Sequence, residues 1–464
     1  MKFELGFYGA AGNVTGSRYC LNANGKQILI DCGLYQEHQL KDRNWEHFNV
    51  NPSKLDAVIL THAHLDHCGL LPRLVKDGFS GPIYCTSATA DIVKIVLLDC
   101  AHINEEDAEY KRQRHEREGR QGRFPVKPLY TTEEAKNVLP LLTPWDMKRP
   151  ISLGDGLQVE FIEVAHILGA SSLRFTITQN DETRKLVFSG DIGRWDMPIL
   201  RDPSPIGEAD YVVMESTYGN RLHGPQSDIE KELADVINDT ANRGGNIIIP
   251  SFAIERTQEL LFFLTKLLHA NKIPHLRIFI DSPMAVRVTE VFKRHPYLFD
   301  KSTLSITRSL QPGNTTLVRS AAESKAINHI HGSVIVIAGS GMCTGGRIKH
   351  HLVHNIENEQ ATILFVGYQA NGTLGRVILE GERTVRILGN MYDVNAHISR
   401  ISGFSAHADK NELDRWLKTI TTTPKQVFIT HGEPEASQSF AEHLRKDFNL
   451  KVAVPVYKQV FTLD

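Results

Sequence analysis

Short, unbroken apolar runs that stop at turn residues punctuate the whole chain. Gln27-Ile28-Leu29-Ile30, Ala57-Val58-Ile59-Leu60, Val159-Glu160-Phe161-Ile162-Glu163-Val164, Leu186-Val187-Phe188-Ser189-Gly190 and Gln426-Val427-Phe428-Ile429-Thr430 have strand length and turn-bounded ends. From Met1 to about Gly219 such runs alternate with helical segments, in the manner of an α/β sandwich. Beyond Asn220 the pattern predicts a helix over Asp228 to Asn242 and an amphipathic helix over Glu255 to His269. These sit among the continuous apolar strands Asn246-Ile247-Ile248-Ile249, Arg277-Ile278-Phe279-Ile280, Val334-Ile335-Val336-Ile337 and Thr362-Ile363-Leu364-Phe365-Val366. Runs without alternation imply strands covered on both faces, hence a parallel sheet flanked by helices. The charged stretch Glu105 to Arg123, with six acidic and six basic residues, reads as a solvated helix.

Composition bounds this picture. At 464 residues and 41% hydrophobic the chain can bury more than one core, which predicts two or three domains. No run approaches the roughly 20 apolar residues of a membrane span, and Met1-Lys2-Phe3-Glu4-Leu5 does not open like a secretion signal. Cys20, Cys32, Cys68, Cys85, Cys100 and Cys343 show no paired spacing, so reduced thiols and a cytoplasmic protein without membrane partners are expected. A net charge of −2 leaves any polyanionic substrate to a local basic groove.

Candidate chemistry concentrates where the strands end. His62-Ala63-His64-Leu65-Asp66-His67 places three imidazoles and a carboxylate directly after an apolar run, and nitrogen and oxygen donors crowded in this way can face two metal ions. Other strand-like runs end at His166, Asp191 and His431. Each alone is weak, since a lone histidine after a strand is more often structural. Their joint occurrence points to a binuclear site.

This set resembles the metal site of the metallo-β-lactamase fold. The resemblance implies two zinc ions per chain: one held by His62, His64 and His166, the other by Asp66, His67 and His431, with Asp191 bridging both. Asp31 matches the family's first motif, an aspartate that orients the ligand loop from behind. Because His431 lies after the region of parallel strands, the metal domain must be interrupted and resumed. That insertion narrows the resemblance to the β-CASP nucleases, a branch that includes RNA 3′-end cleavage nucleases and RNase J enzymes. Motif A is met by Glu215 in Val212-Val213-Met214-Glu215-Ser216-Thr217-Tyr218, motif B by His407 in Gly403-Phe404-Ser405-Ala406-His407-Ala408-Asp409, and motif C by His431 in Thr430-His431-Gly432-Glu433. A histidine in motif C resembles the RNA-processing members.

The resemblance implies an αββα sandwich with an inserted β-CASP domain: residues 1–219 as the first part of the metal domain, 220–405 as the insertion and 406–464 as the return. It implies a hydrolase cutting single-stranded RNA, as an endonuclease, a 5′-3′ exonuclease or both, with Asp66, His407, Glu215 and Asp31 in the catalytic machinery. His407 is the candidate general acid, held protonated by Glu215. The loops carrying Ser251 and Arg256, Asp281 and Ser282, and Ser340, Gly341, Met342 and Arg347 are candidates for holding the RNA backbone, their glycines letting main-chain N–H groups approach phosphate. The scissile phosphate is expected between the metal domain and the β-CASP cap. A nuclease acting on DNA and a non-catalytic scaffold of an RNA-processing complex remain the alternatives, and both monomer and homodimer stay open.

Overall fold

The computed structural model describes residues 1–119, 126–224, 229–304, 312–370, 372–401 and 403–464. The chain forms two compact units: Met1–Trp195, Asp202–Leu222 and His407–Asp464 make up the first, Asp196–Arg201 and His223–Ala406 the second. Asp196–Arg201 joins the second unit through its main chain, the Asp300 amide donating to the Ile199 carbonyl at 2.9 Å beside a bridge between Leu200 and Phe299.

The first unit is built on two seven-stranded sheets. One runs in the order Gln459–Leu463, Phe3–Phe7, Tyr19–Ala23, Lys26–Ile30, Ala57–Ile59, Ile83–Thr86 and Leu142–Trp145. The other runs Val452–Ala453, Gln426–Thr430, Tyr211–Glu215, Glu182–Phe188, Ser171–Gln179, Leu157–Glu163 and Ile151–Gly154. The apolar faces of both meet in one core, where Leu5, Phe7 and Tyr19 of the first sheet are buried with Phe161, Phe175, Phe188 and Phe428 of the second. Helices pack outside: Ser87–Glu118 on one sheet, Pro434–Asp447 on the other. This is the αββα sandwich. Its second sheet is completed by Gln426–Thr430, which pairs in parallel with Tyr211–Glu215 from the far side of the insertion.

The second unit has a six-stranded sheet ordered Thr315–Leu317, Arg277–Asp281, Val334–Ala338, Ile247–Pro250, Thr362–Phe365 and His397–Arg400, every pairing parallel. Its strands Val334–Ala338 and Thr362–Phe365 are wholly buried, as their unbroken apolar runs require.

Several elements differ from the sequence-based expectation, among them the strand Thr315–Leu317, which no apolar run announced. The charged helix is the second half of a single helix, Ser87–Glu118, whose N-terminus is capped by the Thr86 hydroxyl accepting from the Thr89 amide. Its first half is buried through Ile92, Val93, Val96 and Leu97 and carries only Asp91, Lys94 and Asp99 as charged residues, so it lacks the dense charge that marked the second. Residues 120–123 of the expected helix, and Asp228 of the helix now bounded as Ile229–Asn242, lie outside the described residues. His397–Arg400 is a strand without an apolar run, because at the edge of the sheet it stays largely open to solvent. Among the described residues no helix is long and apolar enough to cross a membrane. All six cysteines are free.

The sheet ends meet closely beneath the histidine-rich loop. A Cβ added at Gly33 would lie 1.6 Å from the carbonyl oxygen of Asp66 and 2.7 Å from the amide of Ser17, both main-chain atoms that cannot swing aside. Gly33→Ala is therefore expected to destabilise the protein by roughly 1–3 kcal/mol or more and to push the loop out of place. Thermal denaturation checks this, and an unchanged midpoint would contradict the packing argument.

Candidate metal centre

Every candidate ligand in the first unit stands at or just past the carboxyl end of a strand. Ala57–Ile59 leads into His62 and His64, and a short helix, Leu65–Cys68, then turns Asp66 and His67 back toward them. Leu157–Glu163 leads to His166, Glu182–Phe188 to Asp191 and Gln426–Thr430 to His431. The parallel register sets Glu215 opposite Thr430, which brings the start of motif A against His431.

Two clusters result. In one, the Nε2 atoms of His62 and His166 each lie 3.1 Å from Nδ1 of His64, and both lie 3.5 Å from Oδ2 of Asp191. In the other, Nε2 of His67 lies 3.1 Å from Nε2 of His431, while Oδ2 of Asp66 is 3.4 Å from His431 and 3.9 Å from His67. Oδ1 of Asp191 faces this second cluster at 3.3 Å from His67 and 3.5 Å from His431. One carboxylate thus offers one oxygen to each group.

The donor set fits cations. A neutral imidazole carries one N–H, so nitrogens converging at 3.1 Å cannot all satisfy one another. Burial lowers the pKa of His62 well below its ordinary value and that of His64 to about 4, which leaves lone pairs rather than charges pointing inward. Oδ1 of Asp191 is buried without a hydrogen-bond partner among the described residues, a costly state unless a positive charge meets it. Burial opposes the ionisation of Asp66, yet the hydrogen bond from His431 and the charge of His67 bring its pKa down to about 2.

The outward nitrogens are fixed by supporting residues. Asp31 accepts from the Thr61 amide at 2.8 Å and meets Nδ1 of His67 at 2.7 Å, which fixes a proton on Nδ1, so that a bound cation would displace only the proton of Nε2. Thr217 donates its hydroxyl to Glu215 at 2.5 Å and stands 3.2 Å from Nδ1 of His431, whose N–H it can then accept. Asp31 and His431 both hold left-handed backbone, φ 57° and 50°. Asp31→Ala should reduce metal affinity by roughly 10–100-fold while leaving the direct ligands in place. Metal titration of the purified variant measures this, and wild-type affinity would show that Asp31 only shapes its turn.

His407 stands beside the first cluster, its ring centroid 4.5 Å from that of His166. Its Nδ1 is 3.2 Å from Oε2 of Glu215 and 3.9 Å from Oδ2 of Asp191. Glu215 is held in turn by the Ile192 amide and the Thr217 hydroxyl. Burial favours the neutral ring, but Glu215, with smaller help from Asp191 and Asp66, holds the His407 pKa up at about 9. Cations on the adjoining ligands would act in the opposite sense.

Thr61 and Thr217 are positioning residues that the sequence did not single out. The only signal was their place, one residue before His62 and two after Glu215. Cys68 is buried with its thiol toward the Ala63 carbonyl and joins neither cluster.

The other candidates lie in the second unit, gathered at the carboxyl ends of its parallel strands. There the side chains of Ser251, Arg256, Asp281 and Ser282 are engaged by the fold. The Ser251 hydroxyl meets that of Thr257, and Arg256 is ion-paired with Glu259 over the Phe404 ring. Asp281 is fully buried and accepts from Arg347 and His351 at 2.6 Å each and from Ser324, while Ser282 caps the helix Pro283–Arg294. The Ser340 hydroxyl accepts from the Thr344 and Gly345 amides and closes the glycine loop. Arg347 spans Asp281 and the Arg319 carbonyl. Gly341 is buried and Met342 half-buried in the same loop.

Comparison with known proteins agrees with this architecture. Family models match as a beta-lactamase superfamily domain over residues 26–241, a Beta-Casp domain over 257–378 and a Zn-dependent metallo-hydrolase RNA specificity domain over 391–455. A ribonuclease of Thermus thermophilus is 37% identical over 92% of this chain and 93% of its own. Transcription termination factor FttA of Methanosarcina mazei is 29% identical over 96% of this chain and 69% of its own, and an RNase J-like protein of Methanocaldococcus jannaschii is 27% identical over 97% and 98%. A crystal structure of a protein of unknown function from Enterococcus faecalis shares the fold, with a TM-score of 0.56 at 15% identity over the full length of both chains.

Proposed function

The chain belongs to the β-CASP nucleases of the metallo-β-lactamase fold, and from that premise we propose that it is a zinc-dependent ribonuclease hydrolysing phosphodiester bonds in single-stranded RNA. The observation that carries this reading is Asp191, with one carboxylate oxygen in each of two ligand clusters and a carboxylate-held histidine beside them. His62, His64 and His166 would hold one zinc, Asp66, His67 and His431 the other, and Asp191 both. Bound there, two ions would neutralise phosphate oxygens and bring the pKa of an attacking water toward about 7.

The remaining need is the leaving alkoxide, which must gain a proton. Glu215 fixes Nδ1 of His407 and favours the imidazolium, so Nε2 can carry the proton given to the departing oxygen. Asp31 and Thr217 keep His67 and His431 in the tautomers that present Nε2 inward. In the second unit, the Gly339–Gly346 loop is suited to the RNA backbone. Asp281, Ser282, Ser251 and Arg256 then act by holding the loops, and Arg347 by joining the glycine loop to Asp281. RNA as the substrate is supported by the specificity-domain model and by the Thermus ribonuclease.

Incubation with 5′-labelled single-stranded RNA and with DNA of the same sequence tests the proposal. RNA cleavage with DNA intact supports it, and DNA cleavage with RNA intact overturns it. Release of single nucleotides would assign 5′-3′ exonuclease action, internal fragments endonuclease action.

A further inference from the structure

Phe252 stands two residues past the strand Ile247–Pro250 and is 40% exposed although Ser251, Ala253 and Ile254 around it are buried. In the sheet that strand lies between Val334–Ala338 and Thr362–Phe365, and the loop after each neighbour brings a glycine to the ring. A Cβ at Gly341 would fall 2.6 Å from the Phe252 ring, and one at Gly367 would fall 3.6 Å from it, so the ring occupies space that side chains at those positions would fill. Buried Gln369 ties the two loops together, its amide donating to the Gly341 carbonyl at 2.9 Å and the Gly367 carbonyl at 3.3 Å. Tyr368, beside Gly367, is a second aromatic at the same sheet end, 39% exposed. Among the described residues no protein acceptor pairs with the N–H groups of Gly341 and Met342, adjacent to the ring.

We propose that Phe252, with Tyr368 at the same end of the sheet, is a base-stacking platform for single-stranded RNA. The proposal rests on the ribonuclease reading for its ligand. Scattered apolar residues on a surface are ordinary. This one is seated between two glycine loops, pinned by a buried amide and set at the carboxyl ends of parallel strands, where open α/β sheets bind ligands. An aromatic face accepts any base, and amides a residue or two away can receive the adjoining phosphate, so binding would be tolerant of sequence.

The test uses the full chain carrying His407→Ala, expected to slow cleavage by roughly 10²–10⁴-fold, and reads binding of a fluorescent single-stranded oligoribonucleotide by anisotropy. Adding Phe252→Leu keeps apolar bulk on the glycines but removes the π-face, and should weaken binding about tenfold. Phe252→Trp should bind within about twofold of the parent on the same stacking argument. With an oligomer of abasic ribose phosphates the parent and the leucine variant should bind alike. Equal RNA affinity of parent and leucine variant, or an equal loss with the abasic chain, overturns the platform. Intact stacking behaviour, together with RNA left uncut by the protein that retains His407, would instead overturn the ribonuclease reading and spare the platform. Failure of the parent to bind RNA defeats both.

Discussion

Replacing His407 with alanine should slow RNA cleavage by roughly 10²–10⁴-fold, the usual contribution of a positioned general acid, while bound metal stays at the wild-type level. The separation follows from geometry. His407 meets the cluster through Glu215, 3.2 Å from Nδ1, and contacts Asp191 only at 3.9 Å, so its loss removes a proton donor and leaves all seven ligand-type side chains in place. Glu215→Gln should reproduce much of the loss, because an amide no longer favours the imidazolium. The defect in both variants should be largest with a poor leaving group and should shrink when the departing oxygen belongs to an acidic phenol, which needs no proton. Single-turnover cleavage, metal analysis and an activated phosphodiester check this. Wild-type rates in His407→Ala would remove the residue from the chemistry, and lost metal would make it a structural support.

Asp191→Asn is expected to be more damaging still. Its carboxylate gives Oδ2 to His62 and His166 and Oδ1 to His67 and His431, and an asparagine can give an oxygen to one side only. The other cluster then faces an NH2 donor where it needs an acceptor. Bound zinc should fall from two ions per chain to one or fewer, and cleavage should drop by roughly 10³-fold or more, since metal stabilisation of the phosphate is worth several kcal/mol. The fold should survive, because Asp191 lies at the strand ends and outside the apolar core. Elemental analysis with circular dichroism separates these outcomes, and two retained ions with wild-type activity would refute a bridging role.

The sequence made a surprising share of this centre legible. His62, His64, Asp66 and His67 fall within six residues, and His166, Asp191 and His431 each follow an apolar run of strand length. Strand-end loops are the natural place for such side chains, because a strand fixes where its last residue emerges while its loop is free of the sheet's hydrogen-bond pattern. The second unit was harder to read. Asp281, Arg256 and Ser251 look like substrate contacts in a loop sequence, yet they are buried and engaged by His351, Glu259 and Thr257. Polar residues in glycine-containing loops carry the same sequence signature whether they face a ligand or hold the loop together. Phe252 illustrates the converse: nothing in the sequence sets it apart from the other phenylalanines of the twenty, whereas its exposure and its glycine seat in the fold do.

What the chain determines by itself is therefore the set of elements and the identity of the ligand-type residues, because hydrophobic period and ligand crowding are local properties. The tertiary structure alone decided how those residues are shared. It turned one oxygen of Asp191 to each cluster, set Glu215 beside His431 through the parallel pairing of strands separated by more than two hundred residues, and gave Thr61 and Thr217 their supporting contacts. Such contacts depend on register and on which strands become neighbours, and both are settled only when distant segments pack their apolar faces into one core.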